Sequence, residues 1–292
     1  MKNVWIFYAL LSAFFLATSD ALTKRAVKKE NEYLVAWFRL FFTLPVLIPL
    51  FFLIPVPALD KSFYFAFFSA IPLEIITVFL YVKAIKLSPL NLTLPFLSLT
   101  PLFLTFVSYI IVGERVSFEG FAGIVLIVAG GYTLNADRSL SGLSGPIRAI
   151  LKEKGSLLMI IVAFIYSFTS SLGKVALEHS SPLFFGISYF FVLTVLSAPL
   201  SLGMGKRSLG DFVSRGVYWK LLPPGLFYGL MVIFHMLALD LTKVAYMISV
   251  KRLSLVIGVI YGYVFFKEEK FGQRLLGTII MLAGFVILVN AD

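Results

Sequence analysis

The sequence predicts an all-α integral membrane protein: ten transmembrane helices arranged as two five-helix inverted repeats. Three observations carry that expectation. First, 60% of the 292 residues are hydrophobic and the mean hydropathy is +0.97, against roughly 45–50% apolar residues in soluble domains. Second, the apolar residues gather in stretches of about 20, the length that crosses a ~30 Å hydrocarbon core. Third, the second half of the chain repeats the first.

The spans read as 4–22, 33–54, 63–82, 89–112, 117–135, 156–176, 182–202, 220–239, 244–266 and 273–290. Only helices satisfy their own backbone in lipid at such lengths. The first run, 4–22, lacks a clear small-residue cleavage site, so it reads as a helix and not a signal peptide. Prolines at 45, 49, 72, 95, 101 and 199 fall inside spans and invite kinks, because each removes an amide donor. The connection 203–219 reads as a polar loop. Gly225/Gly229 and Gly258/Gly262 are small-xxx-small pairs that let helices approach closely.

Residues 84–130 fall on 238–284 without a gap at an offset of 154. Ala84, Leu87, Leu99, Tyr109, Glu114, Gly123, Ala129 and Gly130 recur as Ala238, Leu241, Leu253, Tyr263, Glu268, Gly277, Ala283 and Gly284. Thr18-Ser19 and Lys24 echo Thr169-Ser170 and Lys174. The organisation is then repeat one over 1–137, a basic linker over 138–154 and repeat two over 155–292. Five spans per half insert the second copy from the opposite side of the membrane. That arrangement is typical of secondary transporters, with a site near the midplane. A duplicated scaffold that carries nothing is the plainer alternative.

Composition excludes much else. The net charge of +10 sits mainly in short loops, so it reads as a topology signal and not a nucleic-acid surface. There are no cysteines and only two histidines, His179 and His235, which leaves no basis for a metal site. No phosphate loop, zinc-protease or nucleophile-elbow motif is present. The chain reads as no enzyme and needs no cofactor; its partners are a small-molecule solute and the bilayer, with a homodimer left open.

Lys251 and Arg252 stand together about 10–12 Å into the ninth span at 1.5 Å per residue. Each would cost roughly 2.5–3.5 kcal/mol on insertion scales. Such charges face a cavity or a partner, so the pair reads either as an anion or carboxylate site or as an internal ion-pair network. Glu74, mid-span in the third helix, is the acidic residue expected near the midplane. It reads as the counter-charge of Lys251 or Arg252, or as a proton-coupling carboxylate. The second role would make the chain an exporter of hydrophobic cations. Arg39, six residues into the second span, and His235 are secondary candidates. Asp20 reads as a local ion-pair partner of Lys24, and Glu114 as pairing with Arg115 and capping the next helix.

Arg39, the stretch from Ala84 through Pro101 to Gly113-Glu114-Arg115, Gly123, Gly130-Gly131 and Lys267-Glu268 together resemble the drug/metabolite transporter superfamily, in its ten-helix EamA form. The resemblance spans nearly the whole chain. It implies solute transport without ATP hydrolysis and names no solute. A narrower stretch, Val250-Lys251-Arg252 and Phe265-Phe266-Lys267, resembles the plastid phosphate translocators. That similarity implies an anion pocket built from Lys251, Arg252, Lys174 at the end of the sixth helix and Tyr228 in the eighth. The expected location is the inner (cytoplasmic) membrane of a prokaryotic cell, with multiple passes. The positive-inside rule puts both termini outside; the family is usually drawn with both in the cytoplasm.

Overall fold

The structure, a computed structural model, describes residues 4–27, 30–88, 94–133, 154–266 and 271–291. Every regular element among them is helical. In chain order they are α1 (Val4–Val27), α2 (Glu32–Phe41), α3 (Leu44–Phe51), α4 (Lys61–Leu87), α5 (Thr100–Ile111), α6 (Phe118–Thr133), α7 (Lys154–Glu178), α8 (Pro182–Ser214), α9 (Leu222–Leu241), α10 (Val244–Lys251), α11 (Ser254–Phe266) and α12 (Phe271–Asn290). Short 3₁₀ segments, Leu94–Leu99 and Val217–Leu221, lead into α5 and α9. Seven passes are long and apolar enough to cross a membrane, and three shorter apolar helices supply the rest. The ten passes take α2 with α3 as the second and α10 with α11 as the ninth. The linker 138–154 lies outside the described residues except for Lys154, and so do Lys267 and Glu268.

Local chemistry sets the helix starts. The Asn31 side chain accepts from the Tyr33 and Leu34 amides, and Asp60 accepts from the Phe63 amide, which satisfies donors that a first turn leaves free. Pro45 and Pro101 each sit in the first turn of a helix. They break the second and fourth passes because proline has no amide and clashes with the preceding turn. The seventh helix departs from expectation: α8 runs on through the anticipated loop to Ser214. Its extension is anchored by Phe212, fully buried and stacked on Phe38 at 5.3 Å.

The ninth pass also departs from expectation. It is two helices, separated at Arg252-Leu253. The Arg252 amide donates to the Ile248 and Ser249 carbonyls at 3.1 Å, and the Leu253 amide to Val250 at 3.0 Å. No proline is present there, and nothing in the local sequence accounts for the break. It is nonetheless in register with the proline break of the fourth pass, since α5 starts at Thr100 and α11 at Ser254, 154 residues apart.

Packing follows the repeat. α1 packs chiefly on α9 and α7 on α4, so the first helix of each half lies against the third of the other. α6 packs chiefly on α12, the fifth helix of each half on its own counterpart. Lipid gives helices no hydrophobic reason to associate, so small residues and close van der Waals contact must hold them. At the α6–α12 seam a Cβ added to Gly123 would lie 2.8 Å from the Gly284 carbonyl oxygen; one added to Gly284 would lie 2.7 Å from that of Gly123. Gly225 and Gly229 bring α9 as close to α2 and its junction with α3, against the Arg39 and Thr43 carbonyls. Gly258 meets nothing within 4 Å among the described residues.

One polar device recurs in both halves. Lys24 Nζ donates to the carbonyls of Ile85 and Ser88, both at 2.8 Å, at the end of α4. Lys174 Nζ donates to Leu239 at 2.7 Å and Thr242 at 3.3 Å, at the end of α9. Both acceptor pairs are 154 residues apart, the offset of the sequence repeat. A lysine at a helix C-terminus satisfies orphan carbonyls and complements the negative end of the dipole.

Candidate functional site

A cavity of about 110 Å³ lies between the halves and is lined by side chains from both. A single water needs ~10–15 Å³ on that measure, so the space has room for several waters or a small solute. Its charged lining residues are Arg39 from α2, Glu74 from α4, and Lys251 and Arg252 at the break of the ninth pass. Tyr81, Tyr166, Tyr189, Tyr228 and His235, with Thr169 and Ser170, are the polar residues in mostly apolar walls.

The break explains how two neighbouring cations reach one space. On a continuous helix they would point about 100° apart. Here Lys251 ends α10 and Arg252 is its cap residue, and both line the cavity. Lys251 Nζ lies 3.0 Å from His235 Nδ1. With Lys251 as an ammonium, which can only donate, that nitrogen accepts and the imidazole proton sits on Nε2. Arg252 Nη2 donates to the Thr100 hydroxyl at 2.9 Å, in the opposite half. Among the described residues neither cation has a carboxylate within 4.0 Å.

Glu74 therefore forms no ion pair with either cation, contrary to its expected counter-charge role. It lies beside Thr169, at longer electrostatic range from Lys251. Asp20 is the larger correction. It is a second buried carboxylate, and its partner is Arg39, not Lys24: Arg39 Nη2 donates to Asp20 Oδ1 at 2.9 Å and Tyr81 Oη to Asp20 Oδ2 at 2.6 Å. Arg39 does not snorkel. Its guanidinium lies 4.3 Å from the centre of the Tyr228 ring, a cation–π geometry, so Tyr228 faces the cavity and steadies Arg39 at once. Sequence reasoning missed the Asp20 pairing, Thr100 and Tyr189. Tyr81 and Asp20 each carry a polar group in an apolar stretch, which was the available signal.

Lys174 is not brought to the cavity. It is buried, but spends its donors on the end of α9 and lies 3.5 Å from Glu178. The structure thus places it at a tie to the end of α9 and not in the cavity lining expected from the resemblance to the phosphate translocators. Lys174→Met is expected to lower stability by about 1–2 kcal/mol and to leave any ligand-induced thermal shift intact. Loss of the ligand response with an unchanged unliganded midpoint would restore it to the site.

Glu114 also acts differently from expectation. Its carboxylate accepts the Val244 amide at 2.9 Å and so caps α10, in the other repeat. Burial holds this carboxyl above the ordinary carboxylate range, although that bond opposes the effect. Arg115 lies over the Tyr109 ring, 5.8 Å from its centre.

These features define a class: a multi-pass helical membrane protein whose two inverted halves enclose a polar cavity. The model of the EamA-like transporter family matches residues 3–136 and 153–290. The chain belongs to that family, within the drug/metabolite transporter superfamily. A protein of known crystal structure superposes with a TM-score of 0.67 at 16% sequence identity, covering 98% of this chain and 95% of its own; that likeness establishes the shared fold. A comparison with curated protein sequences found no match.

Proposed function

We propose that the chain is a secondary carrier that moves a small anionic or zwitterionic metabolite across the cell's inner membrane by alternating access. The observation that supports this is the unequal treatment of the cavity's cations. Arg39 is neutralised by Asp20, whereas among the described residues Lys251 and Arg252 meet neutral partners, His235 and Thr100. With each group in its ordinary charge state, three cations face two carboxylates, Asp20 and Glu74. One positive charge remains, and a buried surplus of that kind favours a negative ligand. A carboxylate or phosphate offers acceptors that suit both an ammonium and a guanidinium.

The test is a thermal-shift screen of the purified protein with carboxylated, phosphorylated, zwitterionic and cationic metabolites. Stabilisation by anions or zwitterions, and counterflow of the same compounds in proteoliposomes, is the expected outcome. A response confined to organic cations would replace this reading with one centred on Glu74.

A further inference from the structure

Among the described residues, four buried side-chain polar atoms lack a hydrogen-bond partner: Arg39 Nε, Tyr189 Oη, Ser201 Oγ and Arg252 Nε. Three of the four belong to residues lining the cavity. Buried donors without partners are rare, so their gathering around one space points to acceptors brought by a ligand. Both guanidiniums have another bond to hold them. The Tyr189 hydroxyl has none.

Tyr189 lies on α8 and is 5% exposed. Its ring stands edge-on to Phe67 at 5.5 Å and Phe190 at 5.9 Å, and tilted against Phe185 at 5.2 Å. Those contacts, from α4 and α8, fix the ring and therefore the place where the hydroxyl is offered. A donor held in advance loses little freedom when it binds. Glu74 of α4, Tyr166 of α7 and Tyr228 of α9 lie within electrostatic reach, yet none of them takes its proton.

Building on the anion reading above, we propose that Tyr189 is a specificity-determining contact: its hydroxyl donates to a neutral oxygen on the solute while the solute's anionic group lies at Lys251 and Arg252. The solute is then a hydroxy- or oxo-substituted carboxylate or organophosphate, and its unsubstituted analogue is a poorer ligand. A site that offers a buried donor discriminates against a ligand unable to accept it, because the donor is then left unpaired.

The experiment titrates the full-length protein in detergent with matched acids: propionate against lactate and pyruvate, and butyrate against 3- and 4-hydroxybutyrate, with inorganic phosphate as the bare anion. In the wild type at least one substituted acid is expected to bind ~5-fold or more tightly than its plain partner. In Tyr189→Phe that preference falls below about twofold, while plain acids still bind and the unliganded midpoint does not fall. A preference of equal size in Tyr189→Phe, or no preference anywhere in the series, overturns the proposal and leaves the anion reading standing. Failure of every acid and of phosphate to bind the wild type overturns both.

Discussion

Lys251→Gln and Arg252→Gln are each expected to abolish anion-dependent stabilisation and reduce uptake to background, while the unliganded protein keeps or gains thermal stability. The two halves of this expectation have one cause. Losing one partner of a buried charged contact costs about 2–5 kcal/mol, which is ~30-fold to several thousand-fold in affinity. Before ligand arrives, Arg252 is a buried and Lys251 a half-buried charge, neither with a carboxylate partner among the described residues, and removing such a charge costs the fold little. Arg39→Gln behaves in the opposite way. It strands Asp20 in the interior and is expected to lower stability by about 3–5 kcal/mol. Midpoints of the three variants, measured with and without an anion, separate the roles. Equal destabilisation of all three, with the anion response retained, would make Lys251 and Arg252 structural.

Gly284→Val separates α6 from α12 and has the largest expected effect on helix packing. The new Cβ would lie 2.7 Å from the Gly123 carbonyl oxygen and 2.8 Å from the Ile127 amide nitrogen. Both are backbone atoms and cannot rotate away. Overpacking typically costs about 1–3 kcal/mol, and a contact against backbone belongs at the upper end or beyond it. The midpoint is expected to fall by roughly 6–12 °C. Gly258→Val is the control: it meets no neighbour among the described residues and should change stability by less than ~0.5 kcal/mol. Comparable losses in both variants would mean that helix propensity, and not the seam, decides the result.

Hydropathy made the helices legible because at apolar runs of about 20 residues only a helix satisfies its own backbone in lipid, and the 154-residue offset made the halves legible. The cavity was legible through Lys251 and Arg252, whose depth alone demanded an explanation. Asp20 was misjudged because its partner, Arg39, is on another helix, and Lys24 was simply nearer in sequence. Lys174 was misjudged although the chain held the clue. Lys24 occupies the equivalent place in the first half, and a feature present in both halves argues for a shared mechanical duty. The joint at Arg252-Leu253 has no proline to announce it. Tyr189 reads in sequence as one more aromatic among many, and only its unmatched hydroxyl sets it apart.

The bond from Arg252 to Thr100 joins two elbows. Thr100 opens α5 where the fourth pass bends, and Arg252 stands where the ninth does. Through that contact a side chain from each half meets the bend of the other, so the two elbows are joined directly across the internal repeat.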